Sequence, residues 1–93
     1  MKYTVKMSRK FKKSYKLAQK RGLNVNLLKD LTAKLGKGIP LDEKYKDHAL
    51  MGKWEGFREC HIQPDWLLIY LIEDDILTLT LIDTGTHADL FKI

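Results

Sequence analysis

The stretch WLLIYLI, residues 66–72, is the longest uninterrupted apolar run in the chain. Because its side chains are apolar on both faces of an extended segment, it is typical of a central strand that helices cover on one side. Pro64 and Asp65 before it, and the acidic residues 73–75 after it, are turn signals. The run therefore predicts a central strand with a tight turn at each end.

Two more strands are predicted beyond these turns. Residues 54–62 form the first, and Gly56 within it indicates a bulge or a close contact. Residues 76–82 form the second, in which Leu77, Leu79 and Leu81 face one way and the intervening threonines face the other. With the central run, these strands account for most of the second half of the chain.

The first part of the chain predicts one strand and two helices. Residues 3–7 alternate between apolar and polar side chains, as in a strand with one buried face. Ser8 is a suitable N-cap for a helix that runs to about Arg21 and ends at Gly22. A second helix, from about residue 24 or 26 to 35, carries a stripe of leucines. The order β-α-α-β-β-β, followed by a short C-terminal tail, predicts an α+β fold in which two helices pack on a mostly antiparallel four-stranded sheet.

Ninety-three residues predict one domain, residues 1–93, because so short a chain cannot build two independent cores. No apolar run approaches the roughly 20 residues of a membrane span. A secretory signal has an apolar segment after its basic start, whereas no apolar segment follows MKYTVKMSRKFKK in this chain. A single cysteine, Cys60, excludes an internal disulfide. We therefore expect a cytoplasmic protein with no membrane partner.

Charge is distributed unevenly along the chain. Residues 1–37 carry twelve Lys or Arg and one acid, whereas residues 38–93 carry five Lys or Arg and eleven acids. Several cations fall in the first turn of the first helix, where the helix dipole disfavours them, so stability alone does not explain them. The pattern predicts a surface that binds a polyanion, and nucleic acid is the first candidate. The alternative, a helix face that is only solvated, is disfavoured. The candidates for nucleic-acid binding are Lys10, Lys12, Lys13, Lys16 and Lys20.

The three histidines, His48, His61 and His87, all lie in the second half of the chain, each with an aspartate close in sequence. A zinc site is disfavoured because the closely spaced histidine pairs that build such sites are missing, and we expect no metal and no cofactor. Cys60 and His61 are neighbours on a strand and point to opposite faces, which excludes a cysteine–histidine dyad. Metal-free RNA cleavage fits better, because RNA supplies its own 2′-hydroxyl nucleophile and histidine moves protons near neutral pH. Lysine and arginine can stabilise the phosphate.

Three ordered motifs resemble the YafQ branch of the RelE superfamily of bacterial toxins. K-D-H and R-x-x-H-x-x-x-D-W lie in YKDHALMGKWEGFRECHIQPDWLLIY, residues 45–70, and G-T-H-x-x-L-F lies in TGTHADLF, residues 84–91. The basic segment FKKSYKLAQKRG, residues 11–22, is similar to that branch as well. The resemblance implies a RelE-like fold and a ribosome-dependent endoribonuclease that cuts mRNA in the A site, in contact with rRNA. It also implies a cognate acidic antitoxin that wraps the toxin with an otherwise disordered segment.

Carried over by motif, the resemblance implies a catalytic set of one aspartate and three histidines: Asp65, His48, His61 and His87. His87 is expected to act as the general acid on the 5′-oxygen leaving group. Asp65 or His61 is expected to act as the base, and His48 to orient or neutralise the phosphate. Phe91 corresponds to an aromatic residue near the substrate, and Trp66 either stacks on a base or anchors its strand.

One position departs from the family pattern. An arginine commonly stands four positions before the last histidine and clamps the phosphate, whereas this chain has Asp83, whose carboxylate would repel a phosphate. The available substitutes are Lys46, Lys53 and Arg58. The alternative function is therefore a degenerate toxin that binds RNA, the ribosome or an antitoxin without cleaving.

Overall fold

A computed structural model describes residues 1–91, in which five strands form one sheet and three α-helices flank it. Two single turns of 3-10 helix, Glu43–Tyr45 and Gly52–Trp54, lie in the connections. The elements in chain order are β1 (Thr4–Met7), α1 (Arg9–Lys20), α2 (Val25–Gly36), β2 (His48–Ala49), β3 (Arg58–Gln63), β4 (Trp66–Glu73), β5 (Thr78–Gly85) and α3 (His87–Phe91).

The sheet has the strand order β1-β5-β4-β3-β2, with β1 parallel to β5 and every other pair antiparallel. The predicted α+β fold is confirmed, but the four-strand count is wrong among the described residues. A fifth strand forms because His48 and Ala49 pair with Glu59 and Arg58 at the edge of the sheet. The predicted C-terminal tail includes the helix α3.

Two strand starts differ from prediction because the chain turns where an extended segment was expected. Gly56 has a φ of +94°, so the chain turns there and β3 begins only at Arg58. Leu77 has a φ of +47° and belongs to the turn before β5, so it does not share the buried face of Leu79 and Leu81. β5 instead continues to Gly85, which brings its end close to the start of α3.

The two long helices begin at the expected caps. The Ser8 hydroxyl accepts a hydrogen bond from the backbone N–H of Phe11 and donates one to the carbonyl of Ile82, at 2.9 and 2.6 Å. The side chain of Asn24 accepts from the backbone N–H of Asn26 at the start of α2. Because Ser8 bonds both to its own helix and to β5, the cap that starts α1 also fixes that helix on the sheet.

The central strand β4 is buried on both faces, as the apolar run predicts. Leu68 and Tyr70 pack in a cluster with α1 and α2, whereas Leu67 and Ile69 pack on the opposite face with Leu90 of α3. Among the described residues, no helix combines the length and the apolar character needed to cross a bilayer. The core therefore has a large layer under the two long helices and a small one under α3.

Replacement of Leu68 by alanine tests the importance of this strand. Leu68 is fully buried, so the variant leaves a cavity and should lower the free energy of unfolding by ~2–5 kcal/mol. Urea denaturation followed by circular dichroism measures the change. The exposed Ile76, replaced by alanine, is the control and should change stability by no more than ~0.5 kcal/mol. Equal effects of the two variants would contradict the assignment of β4 as the core strand.

Candidate active site

The fold brings together the four predicted catalytic residues, although they come from four different segments. His48 lies on β2, His61 on β3, Asp65 in the β3–β4 turn and His87 at the start of α3. The ring centroids of His61 and His87 are 5.6 Å apart, and those of His48 and His61 are 6.4 Å apart. The three imidazoles therefore form a row at one end of the sheet.

Asp65 holds His87 by two hydrogen bonds. Its Oδ1 lies 2.6 Å from Nδ1 of His87 and accepts from the backbone N–H of the same residue at 3.1 Å. These bonds from His87 lower the pKa of the Asp65 carboxyl below its ordinary value. The ionised carboxylate accepts a hydrogen bond from Nδ1–H of His87, which fixes the tautomer of the ring and leaves Nε2 for proton transfer.

Glu59 is a residue of this site that the sequence analysis missed. Only 4% of it is exposed, and its Oε1 lies 3.5 Å from Nε2 of His61 and 3.7 Å from Nε2 of His48. Its position two residues before His61 on β3 places both side chains on the same face. This spacing was the available signal, and it was overlooked because Glu59 has no place in the three motifs.

The motif K-D-H, residues 46–48, forms a hydrogen-bonded turn beside the row of three imidazoles, and we call this turn the bracket. Lys46 has a left-handed backbone conformation, with a φ of +49°, and its carbonyl lies 2.6 Å from Nδ1 of His48. Asp47 accepts a hydrogen bond from the buried hydroxyl of Tyr70 and lies 3.3 Å from Nε of Arg58. The bracket thus ties the loop before β2 to the two central strands and orients His48.

A groove of about 1040 Å³ opens beside the histidine row, between α2, the loop that follows it and the β3–β4 turn. His61 and His87 contribute to its wall, and apolar side chains such as Leu31 and Ile62 form part of its lining. Four lysines also line it: Lys34, Lys37, Lys44 and Lys46. The walls of the groove thus carry both imidazoles and cations, and among its four lysines only Lys46 was predicted to bind substrate.

The other residues predicted to bind substrate do not line the groove, and some of them bond to other side chains of the protein. Trp66 is 3% exposed and its Nε1 donates to Thr84 Oγ1 at 2.9 Å, so its ring is not open to a base; the strand-anchor role is the one that fits. Arg58 is engaged with Asp47 and Tyr70. Lys53 is exposed in the short turn before β3. Phe91 is half-buried against Trp54, with ring centroids 6.3 Å apart.

The five predicted α1 lysines are exposed on that helix and do not line the groove beside the histidines. Cys60 is buried and burial raises the pKa of its thiol to about 12, so it is not a nucleophile at neutral pH. Among residues 1–91, no three His, Cys, Asp or Glu side chains converge in a metal-binding arrangement.

Comparison with known proteins identifies the family. A family model of the bacterial toxin YafQ of type II toxin–antitoxin systems matches residues 3–92. The chain is 46% identical over 88 residues to the mRNA interferase toxin YafQ of Escherichia coli strain K12, and the alignment covers 94% of each chain. The chain belongs to the YafQ toxin family. The resemblance inferred from the three motifs is therefore confirmed.

Solved structures of bacterial toxins share this fold. The chain matches the toxin of the E. coli DinJ–YafQ toxin–antitoxin complex with a TM-score of 0.88 and 43% identity, covering 98% of this chain and 99% of that one. It matches a metal-bound toxin from Helicobacter pylori with a TM-score of 0.90 and 43% identity, covering 96% and 99%. The element order and the sheet of this chain are thus those of YafQ toxins.

Asp83, at the position where the resemblance implies an arginine, is turned towards α1. Asp83 is only 3% exposed. Its Oδ1 accepts hydrogen bonds from the Ser14 hydroxyl at 2.5 Å and from the backbone N–H of Thr84 at 2.8 Å. Its Oδ2 lies 3.4 Å from Nζ of Lys10. The carboxylate is therefore satisfied inside the fold and does not project towards the histidines as a free anion. Its position fixes α1 on β5.

The Asp65–His87 pair predicts a contribution to stability that depends on pH. The folded-state pKa of Asp65 lies below the unfolded value, so the stabilisation is present above the unfolded value and is lost as pH falls through the folded-state value. We expect the stability difference between wild type and Asp65→Asn to shrink as the pH falls below the range in which an ordinary aspartate titrates. Urea unfolding at a series of pH values measures it, and a constant difference would contradict the hydrogen bond as the cause.

Proposed function

We propose that this chain is the toxin of a type II toxin–antitoxin pair and an endoribonuclease that cleaves mRNA on the ribosome by metal-free acid–base catalysis. The observation that carries the proposal is the pairing of two imidazoles, each backed by a carboxylate. His87 with Asp65 and His61 with Glu59 stand 5.6 Å apart between ring centroids, beside a lysine-lined groove.

His87 acts as the general acid. Asp65 holds its Nδ1, so Nε2 presents the proton to the 5′-oxygen as the bond between phosphorus and that oxygen breaks. The carboxylate also stabilises the charged imidazole before the proton leaves. Because Asp65 is occupied with two bonds to His87, it is better placed to position the acid than to serve as the base.

His61 acts as the base. Glu59 lies next to its Nε2, which leaves Nδ1 to take the proton of the 2′-hydroxyl, and the buried carboxylate stabilises the resulting imidazolium. The 2′-oxygen then bonds to phosphorus, and the products are a 2′,3′-cyclic phosphate and a free 5′-hydroxyl. The attacking and leaving oxygens are bound to one phosphorus, so two neighbouring imidazoles can serve both.

The lysines of the groove and His48 stabilise the phosphate. Lys46 belongs to the bracket that places His48 and Lys44 precedes it, whereas Lys34 and Lys37 extend the cationic wall at the end of α2. Cations fixed beside a transferring phosphoryl group lower the barrier by offsetting the charge that develops there. They supply in this chain the positive charge that Asp83 does not.

The partners follow from family membership and charge. The related E. coli toxin is found in complex with the antitoxin DinJ, and we infer that this chain is neutralised by a cognate acidic antitoxin of its own. On the ribosome its exposed lysines contact rRNA while the groove receives the mRNA. An mRNA substrate in the A site places the activity in the cytoplasm.

Replacement of His87 by alanine removes the general acid. We expect the cleavage rate on programmed ribosomes to fall by about 10²- to 10⁴-fold and expression without an antitoxin to stop arresting growth. The exposed Lys29, replaced by alanine, serves as the control for an unrelated surface change.

Cleavage by the wild-type protein is expected to continue in the presence of a chelator. This test is needed because a related toxin from Helicobacter pylori binds metal. Loss of cleavage in EDTA, with recovery when metal is added, would overturn the metal-free mechanism.

The alternative, a degenerate toxin that binds without cleaving, was suggested by Asp83. The burial of Asp83 against Ser14 and Lys10 weakens that argument, because the carboxylate does not confront the substrate phosphate. Equal growth arrest by wild type and His87→Ala, with no cut mRNA in either, would favour the alternative.

A pair of double variants tests which lysines bind RNA. Lys34→Ala with Lys37→Ala alters the groove, whereas Lys12→Ala with Lys16→Ala alters the α1 face that the sequence favoured. We expect the groove variant to reduce the slope of log binding constant against log salt concentration by about 0.7 per lost phosphate contact on single-stranded RNA. Fluorescence anisotropy in a His87→Ala background measures it without cleavage. A larger change in the α1 variant would assign binding to that face instead.

A further inference from the structure

We propose that Arg21, at the end of α1, is a positioning residue for His87 that acts through the hydrogen-bonded cap at the start of α3. The inference rests on the proposed function of His87 as general acid, and Arg21 itself lies outside the three sequence motifs. Arg21 Nη1 lies 2.8 Å from Oδ2 of Asp89, which is one turn into the short helix that begins at His87.

The start of α3 is closed by two reciprocal hydrogen bonds. The backbone N–H of Asp89 donates to Thr86 Oγ1 at 3.1 Å, and the backbone N–H of Thr86 donates to Asp89 Oδ2 at 3.0 Å. This arrangement is a capping box, which fixes the direction in which a chain enters a helix. His87 follows Thr86 directly, so the box sets where its backbone lies.

Arg21 completes the box from another part of the chain. Its guanidinium meets the same Oδ2 that accepts from Thr86, so one carboxylate oxygen joins α1 to the start of α3. The Arg21 bond, followed by the backbone bond from Thr86, lowers the pKa of Asp89 to about 2. Asp89 is therefore ionised throughout the pH range in which histidine chemistry operates.

Gly85 leaves room for this contact. A Cβ at position 85 would lie 2.9 Å from Asp89 Cβ and 3.0 Å from its Oδ2, closer than side-chain carbon atoms approach in folded proteins. An alanine at this position would therefore push the Asp89 carboxylate away from Thr86 and Arg21. The glycine two residues before His87 is required by the capping carboxylate and gives a means of disturbing the box without changing any charge.

Arg21 is attached to a helix that is itself fixed on β5. Its own backbone N–H bonds to the carbonyl of Leu17 at 2.9 Å, and α1 is held on β5 by Ser8 and by the Ser14–Asp83 bond. β5 leads directly into residues 85–87, so α1 and the start of α3 share one support. His87 is then held from two sides, by Asp65 on its backbone and ring and by the Arg21–Asp89 contact through Thr86.

The decisive experiment combines variants at positions 21 and 89. Arg21→Ala, Arg21→Lys, Asp89→Ala and the double variant Arg21→Ala/Asp89→Ala are compared with wild type in single-turnover cleavage on programmed ribosomes. Lys29→Ala, which removes one exposed helical cation outside the site, controls for charge. Gly85→Ala tests the box by steric means.

We expect Arg21→Ala to lower the rate at saturation by about threefold to tenfold, as loss of a helix-terminal contact would, with the half-saturating concentration almost unchanged. Arg21→Lys should recover part of the rate, and the double variant should be no slower than Asp89→Ala, because both changes break one contact. A rise in half-saturating concentration with an unchanged rate, or additive effects, would overturn the proposal in favour of a direct RNA contact.

A measurement on the free protein separates this proposal from the nuclease assignment. Carboxyl NMR titration should show the pKa of Asp65 moving up towards its ordinary value in Arg21→Ala and Gly85→Ala, because a displaced His87 no longer bonds to it. Asp89→Ala is not used in this measurement, because the charge of Asp89 itself raises the pKa of Asp65. An unchanged Asp65 pKa in both variants would overturn the positioning role whether or not the protein cleaves RNA. A shifted pKa without any wild-type cleavage would sustain the positioning role and refute the nuclease.

Discussion

The double-sided burial of β4 is the constraint on which the rest of the structure depends. Leu67 and Ile69 need cover on one face and Leu68 and Tyr70 on the other, so α3 must fold back under the sheet while α1 and α2 cover it. An isolated short helix such as α3 would be marginal in water, and its stability comes from this packing. His87, the proposed general acid at the first residue of α3, is thus placed by the core.

The candidate site follows a single electrostatic plan. The two imidazoles proposed to exchange protons with the substrate are each paired with a carboxylate of a different kind, exposed Asp65 for His87 and buried Glu59 for His61. An ionised carboxylate beside an imidazole fixes which nitrogen carries the proton and stabilises its charged form. The two pairings give the neighbouring histidines distinct orientations and suit them to opposite steps of one cleavage reaction.

The uneven charge distribution takes on a different meaning in the folded protein. The basic first part of the chain supplies Lys34 and Lys37 of the groove as well as the exposed α1 face, and the acidic second part supplies the carboxylates of the site. Cations and imidazoles from distant parts of the sequence thus line one groove. In the proposed function this groove serves as a surface for two polyanions, RNA and an acidic antitoxin.

Local signals in the sequence were enough to predict the caps of α1 and α2, the apolar run of β4, and the family motifs with their three histidines and Asp65. Tertiary structure alone decided the rest. The edge strand at His48, the burial of Glu59 and Trp66, the inward turn of Asp83 and the Arg21–Asp89 contact all depend on residues that are distant in sequence. Local patterns indicate which side chains favour burial or a helix cap. The partner of each buried polar or charged group is determined only by the tertiary contacts of the folded chain.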